Sequence, residues 1–224
     1  MMNFKNVSRW HLPFLLLVSM LVTTAASFRA AAAENLLIIG DSLSAVYRLP
    51  IDSSWPSLLN KKWQDEKGKP SIVNASISGD TAEQGLTRLP ALLKQHHPRW
   101  VLIELGANDG LRGFAPSGIS QTLTQIIKLV KQADAQPLLM QIRLPPNYGR
   151  RYTEAFYAIY PALAKQNNIP LVPFFMEQVA LKPEWMQDDG LHPAQAAQSF
   201  IADWMADKLA PLVKPDQTLS KPQS

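Results

Sequence analysis

No cysteine occurs among the 224 residues. That absence excludes a disulfide scaffold, a thiol nucleophile, a zinc ribbon, an iron–sulfur cluster and a lipidated cysteine anchor. An excess of one charge is also missing once the chain is divided. Three of the 22 basic residues, Lys5, Arg9 and Arg29, fall within residues 1–32, which hold no acidic residue. The rest carries 19 basic against 18 acidic residues, so most of the formal charge of +4 belongs to the first 32. No basic surplus remains to support a nucleic-acid partner. Internal repeats, linkers and a glycine-rich phosphate loop are absent as well.

The sequence is 46% hydrophobic and only 18% charged, a globular composition long enough for one well-filled core. It also lacks a run long enough to span a bilayer. The apolar stretch Leu12–Ala26 is shorter than the roughly 20 residues required, and Pro13, Ser19, Thr23 and Thr24 interrupt it. Lys5 and Arg9 precede this stretch, and the small residues Ala30–Ala33 follow it. That order reads as a secretory signal peptide over 1–32, cut after Ala32 or Ala33. Export to the periplasm with no stable membrane insertion after processing is expected. Residues 33–213 then form one domain, and 214–224 a flexible tail.

Near-continuous apolar runs at Asn35–Gly40, Ser71–Ala75, Trp100–Leu105, Pro137–Ile142 and Ile169–Phe174 read as strands covered on both faces. Helical patterns lie between them at Trp55–Gln64, Thr81–Gln95, Ser120–Gln132 and Tyr152–Gln166. A last helix, Ala194–Leu212, places Ala197, Phe200, Ile201, Trp204, Met205 and Leu209 on one stripe. Alternation of this kind predicts an α/β fold with a five-stranded parallel sheet. In such sheets ligands bind beyond the carboxyl ends of the strands, so residues just after a strand are the candidates for chemistry.

The first strand runs into Gly40-Asp41-Ser42-Leu43-Ser44, a strand-to-helix turn that exposes the Ser42 hydroxyl. Taken alone, the turn is also explained by Gly40 for the bend and Asp41 and Ser42 as caps. The second strand leads to Gly79, whose backbone N–H is free to approach a ligand, and the third to Asn108, a side-chain amide donor. Ser42 and Gly79 are 37 residues apart, Gly79 and Asn108 29 apart. Each gap is near the roughly 30 residues of one strand–helix–strand step, so all three fall at one edge. His96 and His97 end a helix before the third strand, at the opposite edge. His192 follows the last strand and has the right address. Asp189, three residues earlier, is placed to accept a hydrogen bond from its imidazole; Asp188 competes but is expected to face solvent. Asp41, Asp80 and Asp109 share the same edge and would suit a magnesium site, yet each is also explained as a cap or turn brace.

Gly40-Asp41-Ser42-Leu43-Ser44, Gly79, Gly106-x-Asn108-Asp109 and Asp189-x-x-His192, in this order, resemble the signature blocks of the SGNH hydrolases, the GDSL-type esterase family. The resemblance covers nearly the whole chain after the leader. It implies a three-layer α/β/α flavodoxin-like fold with no metal and no cofactor. It also implies a triad of Ser42, Asp189 and His192, with an oxyanion hole formed by Ser42, Gly79 and Asn108. Within the family, Trp100–Gly113, Leu138–Arg151 and Trp185–Pro193 are similar to a periplasmic branch with acyl-CoA thioesterase, lysophospholipase and arylesterase activities. The substrate expected is a small-molecule acyl ester or thioester, and a monomer is expected. A mobile loop over Leu111–Ser120 is implied, as is an acyl trough lined by Ile142, Leu144 and Pro145. Arg143, Arg150 and Arg151 are candidates to approach a substrate phosphate. Val46 and Ala107 depart locally from that branch. A carbohydrate deacetylase is the alternative esterase.

Overall fold

The computed structural model describes residues 33–214. The expected signal peptide and residues 215–224 of the expected tail lie outside the described residues. Five parallel strands, β1 (Ala33–Gly40), β2 (Ser71–Asn74), β3 (Pro98–Glu104), β4 (Gln136–Met140) and β5 (Leu171–Val172), form a sheet of order β2-β1-β3-β4-β5. That is the flavodoxin-like order. The central strands are apolar on both faces because helices cover both: Leu36–Ile39 on β1 and Val101–Ile103 on β3 are fully buried.

The helices are α1 (Ser42–Ala45), α2 (Trp55–Gln64), α3 (Ala82–His96), α4 (Ala107–Leu111) and α5 (Pro116–Gln132), followed by α6 (Arg150–Tyr157), α7 (Ile159–Asn167), α8 (Met176–Val179) and α9 (Gln195–Leu209). Helices α2 and α9 pack together on one face, and α3, α5 and α7 on the other. Helix α9 buries Ala197, Ile201, Met205 and Leu209, while Phe200 and Trp204 of the expected stripe are only half-buried. Buried Gln198 of α9 accepts the Trp55 N–H at 2.9 Å, and the Trp55 indole donates to the Leu43 carbonyl at 3.2 Å. A helix at the far end of the chain thus braces the turn after β1.

Three expectations need correction. The expected helix Tyr152–Gln166 is two helices, α6 and α7. Pro161 has no N–H for the Tyr157 carbonyl and its ring crowds it; the Gln141 side chain donates to that carbonyl instead, at 3.2 Å. The expected loop Leu111–Ser120 is mostly helical. Leu111 ends α4 and Pro116 occupies the first turn of α5, where a missing N–H costs nothing, leaving 112–115 as connection. The last strand is two residues rather than six, because pairing with β4 involves only Leu171 and Val172.

Candidate active site

The sheet order reverses between β1 and β3, and a crevice opens beyond the carboxyl ends of strands that diverge in this way. Register pairs Gly40 with Glu104 and Ile38 with Asn74, so the segments after β1, β2 and β3 emerge side by side. Ser42 begins α1 directly after β1. The Asp41 carboxylate accepts the Leu43 N–H at 3.1 Å and the Asp41 carbonyl accepts Ala45 N–H at 2.8 Å, which leaves the Ser42 hydroxyl turned outward.

The Ser42 hydroxyl lies 2.8 Å from His192 Nε2, and His192 Nδ1 lies 2.8 Å from Asp189 Oδ2. The other Asp189 oxygen accepts the N–H groups of Leu191 and His192 at 2.9 and 3.0 Å. Burial works against the Asp189 charge, but those N–H groups and the imidazole outweigh it and hold the pKa at about 2. Asp188 is exposed and outside this chain of bonds. His96 and His97 stand at the start of β3, at the opposite edge from Ser42.

Tyr47, which sequence reasoning missed, packs its ring against the imidazole at 4.4 Å between centroids. It is held there by a strained loop, in which Val46 and Arg48 both have φ near +60°; for a β-branched residue that is costly. The Gln187 amide donates to the Tyr47 and Pro193 carbonyls, each at 3.0 Å, so it ties this loop to the segment carrying Asp189 and His192.

Opposite the imidazole, Gly79 has φ +86° and open space where a side chain would stand, a conformation that glycine tolerates at no steric cost. Among the described residues, the N–H groups of Ser42 and Gly79 have no protein acceptor. The Asn108 amide lies beside them. It donates to the Asp80 carbonyl at 3.0 Å and to Asp41 Oδ2 at 3.2 Å.

A second acid environment lies behind Ser42. Glu104, at the end of β3, is fully buried; its Oε2 accepts the Ser44 hydroxyl at 2.8 Å and the Asp41 N–H at 3.4 Å, and its Oε1 has no partner. Burial pushes Glu104 well above the usual carboxylate range, and the neighbouring Asp41 pushes it further. Burial likewise raises Asp41 to about 6, against the Leu43 and Glu104 hydrogen bonds that lower it. Gly40 makes room for this pair: a Cβ there would overlap Glu104 Oε2 and meet Ser76 Oγ at 2.9 Å. Its φ is not positive, so the glycine serves close packing rather than the bend expected from sequence. Glu104 was also missed, although a charged residue closing an apolar strand was a visible signal.

The other aspartates are engaged. Asp80 pairs with Arg88 at 2.7 Å, and buried Asp109 accepts the Ala82 N–H at 2.9 Å, where α3 begins. Among the described residues no group of three or more His, Cys, Asp or Glu is set to hold a metal.

Beside Ser42 opens a cavity of about 820 Å³, with Leu111, Leu144, Pro145, Phe174 and Met176 among its walls. Ile142, expected in the trough, is fully buried in the core and forms no part of that wall. Of the three arginines only Arg143 reaches the cavity, where it pairs with Glu177 at 3.2 Å and lies over the Tyr157 ring. Arg150 pairs with Glu154 outside it.

An open parallel sheet that sets a serine hydroxyl against an imidazole at its switch point has the architecture of the α/β serine hydrolases. Comparison with known proteins narrows the class. The GDSL-like Lipase/Acylhydrolase family model matches residues 38–199, and the chain belongs to that family. It is 68% identical over 216 residues to "Thioesterase 1/protease 1/lysophospholipase L1" of Escherichia coli (strain K12), covering 96% of this chain and 100% of that protein. It is 52% identical over 193 residues to an arylesterase of Vibrio mimicus, covering 86% and 96%. Among solved structures, the psychrotrophic esterase EstA from Pseudoalteromonas sp., inhibited by monoethylphosphonate, superposes with a TM-score of 0.79 at 43% identity, covering 80% and 98%. The chain is an ester-hydrolysing enzyme of this family. No helix among the described residues is long and apolar enough to cross a membrane.

Proposed function

We propose that the chain cleaves acyl esters and thioesters through an acyl-enzyme on Ser42. The observation that carries this reading is the unbroken series Ser42 Oγ, His192, Asp189, with 2.8 Å at each link, at the mouth of an apolar cavity. His192 Nε2 takes the Ser42 proton as Oγ attacks the carbonyl carbon, and Asp189 holds the tautomer and steadies the imidazolium. The oxyanion is received by the N–H groups of Ser42 and Gly79 and by the Asn108 amide. His192 next protonates the leaving alcohol or thiol. Water, activated by the same imidazole, then attacks the acyl-serine, and the carboxylic acid leaves.

Leu111, Leu144, Pro145, Phe174 and Met176 offer an apolar wall of the kind a fatty acyl chain needs. This favours fatty acyl substrates such as acyl-CoA thioesters, lysophospholipids and aryl esters over acetylated sugars, and no step needs a cofactor or metal. The leader over 1–32 supports export to the periplasm, tested by N-terminal sequencing of the exported protein. The functional reading is tested with aryl esters, acyl-CoAs and lysophospholipids of graded chain length. Rates should rise with chain length, and Ser42→Ala should abolish the acylation burst. A burst in Ser42→Ala, or faster cleavage of acetylated sugars, overturns it.

A further inference from the structure

Glu104 is a buried acid that the proposed reaction does not use. Among the described residues its only hydrogen-bond donors are the Ser44 hydroxyl and the Asp41 N–H, both on Oε2, and no cation is bonded to it. The carboxyl group of Asp41 adjoins it and is itself almost fully buried. Two carboxylates in one dry site cannot both ionise, so the pair keeps a proton. Asp41 in turn contacts both halves of the proposed site: one oxygen accepts the Leu43 N–H at the start of α1, the other accepts the Asn108 amide.

We propose that Glu104 is a positioning residue: buried against Asp41, it holds that side chain in place, and through Asp41 it aims the Asn108 amide at the oxyanion. The inference rests on the proposed oxyanion role of Asn108. Asp80 O and Asp41 Oδ2 together fix the plane of that amide beside Ser42. Of the two amide hydrogens, the one directed at Asp41 is the one whose availability to a substrate oxygen depends on how much charge Asp41 carries. An unshared charge on Asp41 would both retain that hydrogen and repel the oxyanion. A hydrogen bond from neutral Glu104 reduces both effects. Gly40 belongs to the same device, because any side chain there displaces the Glu104 carboxyl.

The test is a double-mutant cycle with an acyl-CoA or aryl ester, with competent sites counted by titration with an alkyl phosphonate. Glu104→Gln keeps shape and a donor, and is expected to hold kcat within about threefold of the parent. Glu104→Leu removes the donor and should lower kcat about tenfold with KM nearly unchanged. On an Asn108→Ala background the same Glu104→Leu change should add no further loss. If Glu104→Leu does not fold, Asp41→Asn replaces it in the cycle, with the same non-additivity expected. Losses that multiply on the Asn108→Ala background, or a Glu104→Gln variant as impaired as Glu104→Leu, would overturn the inference. An Asn108→Ala variant with unchanged kcat would instead sink the oxyanion reading on which it rests.

Discussion

Two acids stand close to Ser42, and they live under opposite conditions. Asp189 lies on a partly exposed loop, accepts three hydrogen bonds and is held ionised with a pKa of about 2. Asp41 lies behind the turn, almost fully buried against Glu104, and burial raises it to about 6. In the proposed mechanism Asp189 supports an imidazolium and must keep its charge, and hydrogen bonds to the charged form secure that. A carboxyl group behind the proposed oxyanion site is better with its charge shared, and a second acid in the same dry pocket shares it. Identical chemistry is thus divided into two roles by solvent access and donor count alone.

Breaking the front of this pair should have the larger effect. Asp189→Asn leaves the geometry in place but favours the wrong imidazole tautomer, and kcat is expected to fall about 10,000-fold; pre-steady-state kinetics on an aryl ester would measure it. Asn108→Ala, on the other side of Ser42, should lower kcat about 100- to 1000-fold with little change in KM. An effect confined to KM would remove Asn108 from the oxyanion site.

The pH dependence of stability separates the two acids further. Asp189, depressed in the folded state, contributes stability above its unfolded pKa near 4 that is lost as pH falls through about 2. Asp41, raised in the folded state, does the reverse: its contribution is full below about 4 and is lost as pH rises through about 6. Urea midpoints across pH 3–8 should therefore decline from about 4 upward, and Asp41→Asn should reduce the decline, the rest belonging to Glu104, whose raised pKa acts in the same sense.

Gly40→Ala should cost about 1–3 kcal/mol, the range for forcing atoms into a filled site, because the new methyl overlaps the Glu104 carboxyl. The smallest effect belongs to the far edge of the sheet. His97 caps α3 with φ +43° and is exposed, so His97→Gly should raise stability by about 0.5–1 kcal/mol without changing kcat. A fall in activity there would mean the two edges are coupled.

The sheet was legible because strands covered on both faces leave near-continuous apolar runs, as at Trp100–Leu105. Ser42, Gly79, Asn108 and His192 were nominated by one rule, that chemistry follows the strands, and the structure does bring them together. What escaped has local causes. Helices α1, α4 and α8, of four or five residues, are too short for a periodicity to register. The break at Pro161 depends on whether a side chain elsewhere can take the orphaned carbonyl, and Gln141 lies on another strand-end segment. Leu144 and Ile142 alternate along one segment, yet only the first faces the cavity, a distinction set by how that segment leaves the sheet. Glu104 and Asp41 acquire their meaning from register, since Gly40 pairs with Glu104 across two strands separated by more than 50 residues in sequence.

The most direct test of the account is to find where an acyl-mimicking phosphonate becomes attached. After incubation with an alkyl phosphonate ester, intact-mass and peptide-mapping spectrometry should show one adduct per chain, on Ser42, formed at a rate that collapses in His192→Ala. An adduct on another residue, or undiminished labelling of the Ser42→Ala protein, would contradict it.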